Sequence, residues 1–119
     1  MKWYAAHVIM YVKFRDANQD KYPIWENIIL IQASSNDEAW EKAKIRAKED
    51  EDDESSENTW ENRPAIFLLA GIRKIVLCMD EENEPTDGTE ISYSQMELDS
   101  WDSLLKFLKG EMISIKYHY

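Results

Sequence analysis

From Tyr4 to Phe14 every second residue is apolar. Tyr4, Ala6, Val8, Met10, Val12 and Phe14 form one row, and Trp3, Ala5, His7, Ile9, Tyr11 and Lys13 form the other. Alternation at period two puts the rows on opposite faces of a strand, so residues 1–14 are expected to lie in a sheet with the even row on a core. A strand this long needs neighbours along its edges and a second layer over its even face, which excludes an all-helical fold. Material for that layer is ample in a chain of 119 residues that is 44% hydrophobic and 12% aromatic.

The rest of the chain supplies the partners. After a polar loop over 15–23, residues 24–33 are apolar on both faces except for Glu26, Asn27 and Gln32, the pattern of a central strand. Ser35 and Glu38 have capping-box spacing and start a helix that presents Ala39, Trp40, Ala43 and Ala47, with Trp40 expected as its main anchor. Residues 65–79 form a long apolar strand with a bend or bulge at Gly71, and residues 89–98 its return strand after an Asp87-Gly88 turn. Asp99 or Ser100 caps a short helix with Trp101, Leu104, Leu105 and Leu108 on one face and Gly110 just past its end. Residues 111–119 alternate again. The order ββαββαβ predicts an α+β, two-layer domain over residues 1–119: a mainly antiparallel five-stranded sheet with two helices on one face. Its other face would then gather Trp3, His7, Tyr11 and Lys13 beside Met112, Ser114, Lys116 and His118.

Charge is unevenly spread. The net charge is -10, yet residues 49–61 and 80–90 hold 14 of the 24 acids and no base, leaving 10 acids against all 14 bases elsewhere. Both stretches are expected to be acidic loops, the first from fraying of the helix end where like charges meet the negative pole of the dipole. On this view a chain lacking residues 51–57 keeps its fold. Trp60, inside the first stretch, either pins it down or faces a partner.

Several chemistries are excluded. One cysteine, Cys78, permits neither an internal disulfide nor a cysteine-based zinc site, fits a reducing cytoplasmic setting, and reads as a buried structural thiol. The longest apolar runs fall far short of the ~20 residues that span a bilayer, so no membrane segment is expected. No glycine-rich phosphate loop exists among three glycines, and no cofactor is expected. The acid run lacks the glycine and terminal glutamate of a calcium loop, which leaves weak, unspecific divalent binding at most. His7 and His118 are the only imidazoles. No catalytic set or metal site is assigned.

Trp3-Tyr4-Ala5-Ala6, Glu38-Ala39-Trp40-Glu41, Gly71-Ile72-Arg73-Lys74, and Asp87-Gly88-Thr89-Glu90 with Tyr93 occur in an order that resembles the uncharacterised bacterial family known as domain of unknown function 4288. The resemblance covers nearly the whole length. It implies a small bacterial protein and carries no activity or catalytic residue with it. Residues 51–60 look unusually long and acidic for that family.

The leading expectation is a non-enzymatic protein-interaction module, self-associating or immunity-like, whose open sheet face or acidic loops meet another protein or a second copy. Its candidate interaction residues are Trp3, His7, Tyr11, Lys13, Trp60, Arg73, Lys74, Lys116 and His118. An alternative is single-stranded nucleic-acid binding on that face, with Trp3, His7 and Tyr11 stacking bases and Lys13, Arg73 and Lys116 on phosphates. The charge of -10 disfavours it. A third reading is a hydrolase that pairs carboxylates with His7 or His118.

Overall fold

A computed structural model describes residues 1–16, 19–78 and 84–118. The elements are β1 (Lys2–Phe14), β2 (Ile24–Ala33), α1 (Asn36–Glu49), β3 (Thr59–Trp60), β4 (Arg63–Leu77), β5 (Gln95–Glu97), α2 (Trp101–Leu108) and β6 (Lys116–His118). The fold is α+β, as expected, but the sheet is not five-stranded. β2-β1-β4-β3 form an antiparallel four-stranded sheet, and β5 and β6 pair separately as a two-stranded ribbon.

β1 is the centre of the molecule. Its even row is buried throughout, and α1 lies on that face. Ala39 and Ala43 meet Tyr4, Ala6, Ile31 and Ala33, while Ala47 meets Val8 and Met10. The three alanines anchor α1, not Trp40, which is only half-buried. Small side chains bring the helix backbone close to the sheet, so a narrow stripe suffices. Ser35 caps α1 as expected, its hydroxyl accepting from Glu38 N at 3.2 Å. The Glu38 carboxylate does not reach back to close the capping box; it takes the Ser34 hydroxyl at 2.5 Å and Lys42 at 3.2 Å.

β4 carries the irregularity that Gly71 announces. Its register against β1 slips between His7 and Val8 and again between Ile9 and Met10, leaving Arg73 and Ala70 as the extra residues on either side of Gly71. Beyond these bulges Val12, Phe14 and Ala65 form a third cluster with Trp25, Trp60 and Phe67. Trp60 stacks on Trp25 (6.2 Å, 21°) and meets the edge of Phe67, so it pins its segment down. Glu61 and Asn62 make the tight β3–β4 turn, both at positive φ.

Four expectations fail together. β2 is an edge strand, not a central one, because β4 takes the other side of β1. Residues 89–98 form no hairpin with β4; only 95–97 are strand, and they pair with β6. α2 forms where expected, with Ser100 as its cap and Gly110 at positive φ, but buries none of its residues. The expected strand over 111–119 shrinks to Lys116–His118. Met79, the last residue of the expected fourth strand, and Tyr119 lie outside the described residues, as do 80–83 of the second acidic loop.

The consequence is an extended shape. The radius of gyration is 17.3 Å, against about 13.5 Å for a compact chain of this length. The accessible surface is 8606 Å², about 1,900 Å² more than a compact monomer of this mass exposes. Residues 95–118 project as an arm without a single buried residue.

Candidate functional site

The outer face of the sheet, opposite α1, is where the chemistry-bearing side chains meet. Register places Ile9 opposite both Glu26 and Gly71, and His7 opposite both Ile28 and Lys74. The bulge at Arg73 brings its guanidinium onto Glu26: Nε donates to Oε2 at 2.5 Å and a terminal nitrogen to Oε1 at 2.9 Å. His7 Nδ1 donates to the same Oε1 at 2.8 Å. In the tautomer with the proton on Nδ1, Nε2 accepts from the Ser92 hydroxyl. His7 is only 2% exposed.

Glu26 therefore sits between a guanidinium and an imidazole. The Arg73 hydrogen bond, aided by His7, outweighs partial burial and brings the Glu26 carboxyl down to about 2. It is ionised under all ordinary conditions.

Ser92 belongs to an extended segment that crosses this face. Cys78 Sγ donates to Ile91 O at 3.4 Å; Lys74 Nζ donates to Tyr93 O and, at 3.0 Å, to Ser94 Oγ. Residues 91–94 are thus a strap latched to β1 and β4 by His7, Lys74 and Cys78. Cys78 is buried, as expected. The arm begins where the strap ends, with Tyr117 of β6 beneath Arg73, 5.3 Å from its ring centroid.

The nine candidate residues separate into groups. His7, Arg73 and Lys74 form one cluster, which Glu26 and Ser92, not singled out from sequence, complete. Trp3 and Tyr11 are half-buried on the same face, and Tyr11 contacts Tyr22. Lys13, at its far end, lines an open cleft of about 760 Å³ together with Arg15, Asp52, Asp53 and Glu54. Trp60 is half-buried against the third core cluster. Lys116 and His118 are in the ribbon, where His118 lies 4.0 Å from Glu97. His7 and His118 thus have different partners, and no shared site brings them together. Among the described residues no group of three His, Cys, Asp or Glu side chains is placed to hold a metal ion, and no helix is long and apolar enough to cross a membrane.

Glu26 was legible only as an interruption in an apolar strand. A charged residue on an apolar face is itself a signal, because burial requires a partner. Ser92 gave none, since its role depends on a strap that sequence read as a strand.

No curated protein and no solved structure matches the chain. Residues 3–93 match the model of a family described as a domain of unknown function (DUF4288). That span runs from Trp3 in β1 to Tyr93 in the strap and stops before the arm, so it holds all of the four-stranded sheet but Lys2, with α1 and the Glu26–His7–Arg73–Ser92 cluster. The chain belongs to the DUF4288 family.

Proposed function

We propose that this protein is a protein-interaction module whose docking element is the arm. The observation that carries the reading is α2: Trp101 is 71% and Leu108 72% exposed, and Leu105 and Phe107 are also exposed. Trp101, Phe107 and Leu108, with Met96, Leu98 and Leu104, line an apolar groove of about 480 Å³. An eight-residue helix and a ribbon with three-residue strands are each too short to persist alone in water. Such an arm gains its stability from what it docks on. The excess surface of about 1,900 Å² exceeds the ~800 Å² that each partner buries in an ordinary interface. The arm also lies beyond the family-matched residues, as a separable docking element would. The partner we infer is a protein of net positive charge, drawn by a chain of -10 and offering an apolar groove to α2, in a cytoplasmic setting that the single cysteine fits.

The double variant Trp101→Asp/Leu108→Asp tests this. Its melting temperature is expected to stay within about 2 °C of the parent, because exposed substitutions cost little. A partner retained by the parent at low salt should be lost by the variant and weakened by added salt. Equal recovery by both proteins, or a steep fall in melting temperature, would reject the arm as the docking element.

A second reading is supported by the cluster on the outer face. Ser92, His7 and Glu26 stand in the order nucleophile, base and orienting carboxylate, the arrangement that activates a serine for acyl transfer. In that reaction Ser92 Oγ would add to an ester carbonyl as its proton passes to His7 Nε2, and the ester C–O bond would then break, the alcohol leaving with that proton and the acyl group staying on Ser92. The reading ranks second because the same contacts already serve as a latch. A fluorophosphonate probe decides it: labelling of Ser92 that disappears in Glu26→Gln supports an activated serine, and an unlabelled parent removes the reading.

A further inference from the structure

We propose that the protein forms a two-fold dimer in which the outer edge of β2 pairs antiparallel with the same edge of a second copy, joining two four-stranded sheets into one of eight strands. The first ground is the mismatch between what β2 is and where it lies. Its sequence is apolar on both faces, as in interior strands, yet it is the edge of the sheet. On the outer face Ile24 is 60% and Ile28 46% exposed, with Leu30 exposed beside them. Pairing β2 with its copy makes it an interior strand, which is what its composition fits.

The backbone is in phase for this. Pro23 O accepts from Val12 N at 3.0 Å, so odd-numbered residues of β2 aim their peptide groups at β1 and even-numbered ones aim outward. Gln32 O is taken by Lys42 Nζ at 2.8 Å. Ile24, Glu26, Ile28 and Leu30 then offer N–H and C=O groups along an edge that, among the described residues, pairs with no strand of its own chain.

Natural sheets blunt such edges with lysine, proline or bulges. β2 contains no lysine and no proline, and its register against β1 runs without a slip from Lys2↔Ala33 to Tyr11↔Ile24. The opposite edge of the same sheet is treated very differently. There β3 pairs with the start of β4, Ala65 N donates to Asn58 O, Phe67 N to Asp52 and Leu69 N to Glu51. The first half of the β4 edge, residues 63–69, is closed contact by contact, whereas among the described residues no strand pairs with the edge of β2.

The strip itself suits a second copy. Two chains of -10 each repel overall, so a contact between copies needs a strip that adds no like charge of its own. β2 is that strip: its one charged residue, Glu26, is neutralised by Arg73 within its own chain. An antiparallel strand pair is also self-complementary about a two-fold axis, as a closed dimer requires. A register with Ile24 opposite Leu30 gathers the exposed side chains of both copies into one apolar patch.

Light scattering on the full chain with two edge variants tests the proposal. Leu30→Lys puts a charge on the edge; Ile28→Pro removes an outward N–H and leaves the bonds to β1 in place. The parent is expected at twice the chain mass and both variants at the chain mass, with far-UV circular dichroism unchanged. Should Ile28→Pro fail to fold, Leu30→Lys alone decides, since Leu30 is exposed. A parent at the chain mass overturns the proposal. So does a dimer that survives both edge changes, and if Trp101→Asp/Leu108→Asp then dissociates it, the contact belongs to the arm.

Discussion

Deleting residues 51–57 is expected to abolish cooperative folding. Sequence suggests the opposite, because seven acids in nine residues read as a solvated, self-repelling loop. In the fold this segment is the closing strip of the β4 edge. Asp52 N donates to Phe67 O at 2.9 Å, Phe67 N donates to the Asp52 carboxylate at 2.9 Å, and Leu69 N donates to Glu51 at 2.9 Å. The Leu69 hydrogen bond holds the Glu51 carboxyl below the usual carboxylate range. The segment also delivers Asn58 and Trp60, hence the third core cluster. A finer comparison separates hydrogen bonding from charge. Glu51→Ala/Asp52→Ala removes two charge-assisted acceptors at ~1.5 kcal/mol or more each, about 3 kcal/mol in all. By the usual scaling for a domain near this size that lowers the melting temperature by roughly 10 °C. Glu51→Gln/Asp52→Asn keeps an acceptor oxygen at each place and should lose about 1 kcal/mol. Urea denaturation of the three proteins checks the order; equal losses in the two double variants, or a deletion that still melts cooperatively, would refute the edge-closing role.

What the sequence made legible follows from the range of the interactions involved. β1, β2 and α1 were readable because period, cap and burial agree locally: the even row of β1 meets three alanines of α1 at helical spacing. The bulges at Arg73 and Ala70 were foreshadowed by Gly71. Pairing order was not readable, because apolarity on both faces of β2 marks an interior strand without saying whether its second neighbour lies in the same chain. The α2 stripe was correctly placed and wrongly docked for the same reason: amphipathicity predicts burial, not against what. Ser92 and Glu51 were missed because their partners lie 85 and 18 residues away, and polar contacts at such separations leave no period in the sequence.

The Glu26 cluster carries the second large effect, and its signature is in acid. The Glu26 carboxyl falls from 4.5 to about 2 on folding, chiefly through Arg73. A group whose pKa is depressed by folding stabilises the folded state fully above its unfolded value, and that contribution is lost as pH falls through the folded value. The window is therefore pH 4.5 down to about 2. With the carboxylate partly exposed, the contribution is about 2 to 3 kcal/mol after screening. Glu26→Gln should be less stable than the parent by about that amount at neutral pH. The two curves should converge as pH drops toward 2, where the parent's carboxylate is itself protonated. Arg73→Gln should raise the Glu26 pKa and move the parent's acid limb toward neutral pH, whereas His7→Gln should move it less, because Arg73 supplies the larger share. The strap reports the same cluster independently. In His7→Gln the amides of Ser92, Tyr93 and Ser94 should exchange faster while α1 keeps its protection, since the latch and the alanine-packed core lie on opposite faces of β1. A constant stability difference between Glu26→Gln and the parent from pH 7 to pH 2 would show that the carboxylate's charge contributes nothing, and that Arg73 and His7 merely surround it.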